Sequence, residues 1–221
     1  MRRHILIFIS TILLSACASS QQDAVQIRNF DFGPDPATPT ATAAARGTVK
    51  IPVILHVADI SAPEWLDSTT IKYRLAYREP LSVLTYSTSR WVAPPSSQLT
   101  GRLKNALAGG AGVAGTTDII RTGCVLRISL EDFSQIFDSA AASHVSIRAR
   151  ASLAINESKK LLAQKTVVIE RPTATADING AVAGLATGGD ALVSEIVKWL
   201  AATFDAGTVT GQAAINQCKL S

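Results

Sequence analysis

Hydrophobic and polar residues alternate along several stretches of the chain between residues 49 and 170. In the clearest stretch, large apolar residues occupy every second position, at Ile71, Tyr73, Leu75 and Tyr77. A period of two places successive side chains on opposite faces, so the pattern predicts β-strands buried on one side. Short polar turns between the later strands favour antiparallel pairing. We predict strands at about 49–57, 71–77, 82–88, 123–133, 143–156 and 160–170.

Two other stretches have the 3.6-residue period of an amphipathic helix. The first is predicted at about 96–107, where Pro95 suits the first helical turn, and the glycines of 109–115 then predict a flexible connection. The second is predicted at about 177–204. Together the elements predict a single α+β domain, with an antiparallel or mixed sheet and two helices packed on one face. A Rossmann-type domain is disfavoured because strands and helices do not alternate regularly.

The first sixteen residues have the organisation of a bacterial export signal. Arg2 and Arg3 precede the apolar stretch Ile5–Leu14, which is too short to span a bilayer. The segment ends in Leu14-Ser15-Ala16-Cys17, which resembles the lipobox of bacterial lipoproteins. We therefore predict cleavage before Cys17 and acylation of its thiol, which anchors the chain without spanning the membrane. The alternative is an ordinary signal peptide with a cysteine there by chance.

Composition shifts divide the remaining chain into three parts. Residues 17–48 are rich in Ala, Ser, Gln, Thr and Pro and predict a flexible tether, although a short strand around 25–32 could pair with the domain edge. Residues 49–205 form the predicted domain, and residues 206–221 form a C-terminal tail. No Asp follows Cys17 at the next position, which favours an outer-membrane, periplasm-facing location over retention in the inner membrane.

Charge and composition argue against nucleic acid as a partner. The chain has 21 Lys and Arg against 17 Asp and Glu, and these residues are scattered instead of forming one basic run. Aromatic residues make up 5% of the chain, so an aromatic platform for stacking bases is not expected either.

Residues that could carry catalysis or hold a metal are sparse. His56 and His144 lie in strand-like runs without ligand-spaced neighbours, and no zinc, P-loop or nucleophile-elbow motif occurs. Glu131 and Asp132 are adjacent on a predicted strand and should point to opposite faces, which does not suit paired acid and base work. We therefore predict no enzyme activity, no metal and no cofactor.

Two pairs of residues suggest structural or binding roles. Cys124 and Cys218 are the thiols left after Cys17, and in an oxidising compartment they predict a disulfide that pins the tail to a strand. Arg148 and Arg150 share one face of a strand and could receive a lipid phosphate or an acidic partner, or could simply be solvated.

Several motifs occur in an order that resembles the ABC-type transport auxiliary lipoprotein family, which includes the paraquat-inducible protein C type of outer-membrane lipoprotein. A lipobox is followed by a β-rich start, an Arg-Trp-x-x-Pro-Pro helix entry, a strand ending in Leu-Glu-Asp-Phe and an Ala-rich last helix. The resemblance spans roughly 49–204. Its motifs lie at Ala62–Asp67, Ile71–Arg74, Arg90–Pro95, Leu126–Phe133 and Lys198–Leu200.

The resemblance implies an auxiliary component of an intermembrane lipid-transport system. Its partners would be an Mce-domain substrate-binding protein and an ABC permease with its ATPase, and the subunits could form a homo-oligomeric ring. The acyl anchor would hold one end at the outer membrane while the domain docks the transport assembly. The residues expected on or under the docking surface are Tyr73, Arg90, Trp91, Arg148 and Arg150.

Two other functions remain open from the sequence. The first is an accessory lipoprotein for an outer-membrane β-barrel, in its assembly or in lipopolysaccharide translocation. The second is a lipid-modifying hydrolase, for which the sequence offers no nucleophile and base pair.

Overall fold

A computed structural model describes residues 26–36, 51–108, 111–114 and 123–219. These residues form a mixed β-sheet and three helices. The strands are β1 (Arg28–Phe30), β2 (Ile51–Val57), β3 (Thr70–Leu75), β4 (Glu79–Trp91), β5 (Ala111–Ala114), β6 (Cys124–Phe137), β7 (Ser143–Ile155) and β8 (Leu161–Pro172). The helices are α1 (Pro95–Ala108), α2 (Ile178–Thr203) and α3 (Val209–Cys218).

Strand β6 organises the sheet. One edge pairs with β7 in antiparallel register from Cys124 to Phe137. The other edge is shared by two parallel strands, with β2 beside the beginning of β6 and β3 beside its end. β8 extends the sheet beyond β7, the antiparallel β4 extends it beyond β3, and β1 and β5 add parallel strands to β4 and β2. The predicted α+β class with a mixed sheet is confirmed.

Helices α1 and α2 cover one face of this sheet. On β7, every second residue from Val145 to Leu153 is buried, and α2 packs across β7 and β8. α1 packs against α2 and β5. α2 is long and apolar enough to cross a membrane by length and composition, but its buried residues are those of a core helix that rests on a sheet.

Two elements differ from the sequence prediction. Ala111–Ala114 forms β5 beside β2, where the glycine content indicated a flexible connection. The predicted tail contains α3, which starts at the N-cap Thr208, whose side chain accepts a hydrogen bond from the Gly211 amide. Both elements depend on contacts distant in sequence, because neither has a strong hydrophobic period of its own.

Two helix glycines differ sharply in their surroundings and provide a test of the packing. A Cβ on Gly180, in the first turn of α2, would lie 1.9 Å from the backbone oxygen of Thr175, whereas a Cβ on Gly101 of α1 would meet nothing within 4 Å. We expect Gly180→Ala to lower the free energy of unfolding by about 1–3 kcal/mol. Gly101→Ala should raise it by about 0.5–1 kcal/mol, because alanine loses less chain entropy in a helix. Chemical denaturation measures both changes, and equal shifts of one sign would show that the two glycines do not differ in how closely they are packed.

Candidate docking surface

The sheet face opposite the helices carries most of the charged strand residues. We call this the open face and define it by the side chains that alternate with the buried positions of β3, β6, β7 and β8, together with Arg90 of β4 and Glu131. Glu131 and Asp132 both lie on this face, and the expectation that they point to opposite faces is wrong because a β-bulge interrupts the alternation between Leu130 and Asp132. Cross-strand register aligns them, because Lys72 pairs with Ser134, Ser129 with Arg150, and Arg127 with Ser152. Among the described residues, the charged members are Lys72, Arg74, Arg90, Arg127, Glu131, Asp132, Arg148, Arg150 and Glu170.

The open face is basic, with six basic and three acidic side chains in that set. Arg150 donates to Glu131 across 2.9 Å, so part of its charge is compensated. No ion pair joins Arg127 or Arg148 to a carboxylate within the described residues, and both side chains are exposed. Unpaired arginines in solvent can form bidentate hydrogen bonds with an incoming carboxylate or phosphate.

The β3 side of the open face is more crowded. Partial burial lowers the pKa of Lys72, and the positive charge of Arg90 lowers it further. Arg90 itself donates to the backbone oxygens of Tyr86 and Ser89, at 2.5 and 2.8 Å. Arg74 lies over the ring of Trp65, with 6.0 Å between the guanidinium carbon and the ring centroid. Arg74 and Arg90 are therefore already engaged by neighbouring groups. The β6–β7 region is the part of the open face best able to bind a partner.

The structure places the predicted docking residues in different environments. Trp91 is 2% exposed and packs against Phe32 and Phe133, so its ring belongs to the core and cannot touch a partner. Tyr73 is half-buried on the helix side of the sheet, beside Tyr86. Arg90, Arg148 and Arg150 lie on the open face, so the arginines share one surface that the two aromatic residues do not reach.

A polar cluster fills the core side of the sheet where α2 begins. The Tyr86 hydroxyl donates to Gln135, whose amide donates to the Ser143 hydroxyl at 2.8 Å. Burial raises the pKa of Tyr86, and the neighbouring Tyr73 and Asp177 raise it further. Asp177 caps α2, and hydrogen bonds from the Gly180 amide and the Thr175 hydroxyl lower the pKa of its carboxyl. The cluster is internally satisfied, which is typical of a structural network.

Cys124 and Cys218 are joined by a disulfide, with 5.1 Å between their Cα atoms. The bond fastens the end of α3 to the first residue of β6, and both cysteines are buried. The close approach of Gly123 to the Cys218 backbone shows how tightly the two segments pack, because a Cβ there would lie 2.2 Å from the Cys218 oxygen.

Arg102, which none of the sequence motifs includes, has a central role in the structure. This α1 residue is 6% exposed, pairs with Asp190 of α2 at 2.5 Å, and donates to the backbone oxygens of Phe32 and Gly33. The Phe32 ring enters the core beneath α1. Arg102 therefore ties the N-terminal segment to both helices. The available signal was an arginine three residues after Leu99 and next to Leu103, at the spacing of one helix side.

The remaining candidate catalytic and metal-binding residues do not come together in one site within the described residues. His144 pairs with Asp138 at 2.9 Å on the protein surface. Across the described ranges, no group of three or more His, Cys, Asp or Glu side chains is placed to hold a metal ion. Cys17, the predicted acylation site, lies outside the described residues.

Comparison with known proteins finds a matching protein family. A family model described as "ABC-type transport auxiliary lipoprotein component" matches residues 25–197, which includes β1 and ends within α2. No curated protein matches the chain significantly. A crystal structure from Xanthomonas campestris is similar, with a TM-score of 0.63 at 20% identity over 76% of this chain and 92% of that chain. A second crystal structure, of an uncharacterised protein, has a TM-score of 0.53 at 16% identity over 68% of this chain and 95% of that chain.

Proposed function

Because the chain belongs to the family of ABC-type transport auxiliary lipoproteins, we propose that it docks an Mce-type intermembrane lipid transporter at the outer membrane, facing the periplasm. The family match supports a transport role and an anchored location in the cell envelope. The finer assignment to an Mce system is supported by the Arg-Trp-x-x-Pro-Pro entry to α1 and the other family motifs. The role is one of docking without catalysis, and ATP hydrolysis belongs to the partner ATPase.

The proposal gives the anchor and the domain separate tasks. Acylated Cys17 holds the chain in the membrane, because two or three acyl chains bind far more firmly than one. Gln26, the first described residue, lies nine positions after Cys17, so the span between them is at most ~30 Å. The domain therefore works close to the membrane that anchors it.

We assign the docking surface to the β6–β7 region of the open face. The observation that carries this assignment is the pair of exposed arginines without carboxylate partners, Arg127 and Arg148, next to Arg150. A surface of this kind attracts an acidic partner and orients it through bidentate hydrogen bonds. The helices occupy the other sheet face, which leaves the open face as the broad strand surface that a partner can reach.

Crosslinking of the acylated protein in its own membranes tests the proposal. We expect an Mce-domain protein or its permease to be recovered with the wild-type chain. The double substitution Arg148→Gln and Arg150→Gln should reduce that recovery several-fold by removing two charges. Arg148→Lys with Arg150→Lys should retain most of it, and Lys198→Gln, on exposed α2 surface, should retain all of it.

Two results would contradict the proposal. Recovery of a β-barrel without any transporter subunit would favour the accessory lipoprotein of barrel assembly. Equal recovery of the transporter with wild type and with the double glutamine variant would leave the partner role intact but remove the open face as its docking surface.

A further inference from the structure

The hairpin between β3 and β4 ends in exposed apolar side chains. We call residues 76–83 the hairpin tip. Leu81 is 94% exposed, Tyr77 is 50% exposed and Val83 is 40% exposed. The side chains of Arg78 and Glu79 are also exposed at the turn between the two strands, with 3.7 Å between Arg78 Nε and Glu79 Oε1. Leu81 and Val83 are one strand period apart, so they project from the same side of β4. Apolar side chains that project together from one loop are typical of a surface that contacts a membrane or a protein.

The direction of β1 relates this tip to the membrane anchor. β1 runs parallel to β4, with Arg28 beside Ser89 and Phe30 beside Trp91. The chain that precedes Arg28 therefore leaves β1 from the side on which β4 begins, which is the side of the hairpin tip. Gln26 and Ile27 are the described residues at that exit, and both are exposed.

The segment between Cys17 and β1 is long enough to reach the hairpin tip. Along β4, Leu81 lies eight residues before Ser89, a distance of ~26 Å at strand spacing. Cys17 lies eleven residues before Arg28, so the extended chain can span up to ~36 Å from β1. A lipid attached to Cys17 can thus lie level with Leu81 or up to ~10 Å beyond it. The opposite end of the sheet lies on the other side of β1, away from the direction in which the preceding chain leaves.

The two ends of the sheet lie far apart. At the tip end, Leu75 of β3 pairs with Phe137 at the end of β6. The exposed Tyr77 follows in the turn, and the exposed Leu81 and Val83 follow in the first part of β4. Cys124, at the start of β6, lies thirteen residues or ~43 Å away along the strand, where it is bonded to α3. Val209, the exposed first residue of α3, therefore serves as a control position far from the hairpin tip.

From this geometry we infer that the hairpin tip inserts into the headgroup region of the membrane that holds Cys17. Leu81 and Val83 bury apolar surface at the interface, Tyr77 places its ring at headgroup level, and Arg78 meets lipid phosphates. The contact fixes the orientation of the domain, so that the strands stand on the membrane and the open face points sideways. The inference rests on acylation of Cys17, which is part of the proposed function.

Environment-sensitive fluorescence tests the contact in the full acylated chain. Leu81→Cys is labelled with a polarity-sensitive dye and reconstituted in vesicles of phosphatidylethanolamine and phosphatidylglycerol. Val209→Cys, at a residue 89% exposed on α3, is the matched control. We expect a blue-shifted emission at position 81 that lipids carrying a headgroup-level quencher reduce at least two-fold. The label at position 209 should keep its emission in water and should not be quenched.

The outcomes separate the tip contact from the proposed function. Water-like emission at both positions, with mass spectrometry showing lipid on Cys17, would overturn the tip contact and leave the transporter docking test unaffected. If the dye at position 81 is shielded from water only after a transporter subunit is added, the tip contacts a protein and the membrane contact is overturned. An N-terminal peptide without lipid would overturn both the tip contact and the predicted anchor.

Discussion

Replacing Cys124 and Cys218 together by alanine should lower the free energy of unfolding by about 4–5 kcal/mol. The disulfide links residues 94 positions apart, so its loss restores a large loop to the unfolded chain. Both side chains are buried, and alanine avoids leaving a hydroxyl without a partner there. Denaturant unfolding measures the change, and hydrogen exchange in α3 should accelerate because that helix loses its covalent tie to β6.

The wild-type protein with its disulfide reduced provides the matched comparison. It should unfold at nearly the same denaturant concentration as the double alanine variant, and reductant should have no effect on the variant. If reductant leaves the unfolding of the wild-type protein unchanged, the two cysteines do not stabilise the fold through a covalent bond. A single alanine variant would leave a free thiol, so the double variant is the cleaner test.

Arg102→Met should lower the free energy of unfolding by about 3 kcal/mol, because three buried or half-buried acceptors lose their donor. Those acceptors are the Phe32 and Gly33 oxygens and the Asp190 carboxylate. The Phe32 amide bonds to the side chain of Gln98, so the segment keeps a second tie to α1. We expect accelerated hydrogen exchange around Phe32, measured with the unfolding midpoint.

Acidity should modulate the effect of Arg102→Met in a predictable direction. Burial raises the pKa of Asp190, and the charge of Arg102 opposes that rise. Without Arg102 the pKa rises further, so the folded state binds a proton more readily than the unfolded state does. Stability then falls as the pH rises through that range, and the loss should be larger at pH 7 than near pH 4.

Lys104→Met is the matched control on the same helix. Lys104 pairs with Asp59 at 2.7 Å, but the aspartate is largely exposed. An exposed ion pair contributes at most about 1 kcal/mol, so this substitution should have little effect on stability or on exchange near Phe32. Equal losses for Arg102→Met and Lys104→Met would refute the special role of Arg102.

Strands with strong alternation were predicted well. The predicted strand at 143–156 corresponds to β7 at Ser143–Ile155, and the helix at about 177–204 corresponds to α2 at Ile178–Thr203. Both have a long hydrophobic period, which is readable without knowing the neighbours. β5 and α3 were not predicted because neither has a sustained hydrophobic period, and only their partners β2 and β6 explain where they lie.

The sequence by itself determined the class of the fold, the family and the candidate anchor at Cys17. These follow from local patterns, since alternation, helical period and short motifs are properties of neighbouring residues. Only the tertiary structure decided which face the helices cover, that Trp91 is core while Arg148 is exposed, and that Arg102 receives the N-terminal segment. Those outcomes depend on contacts between residues tens of positions apart, because the burial and hydrogen bonding of a side chain depend on which distant segment packs against it.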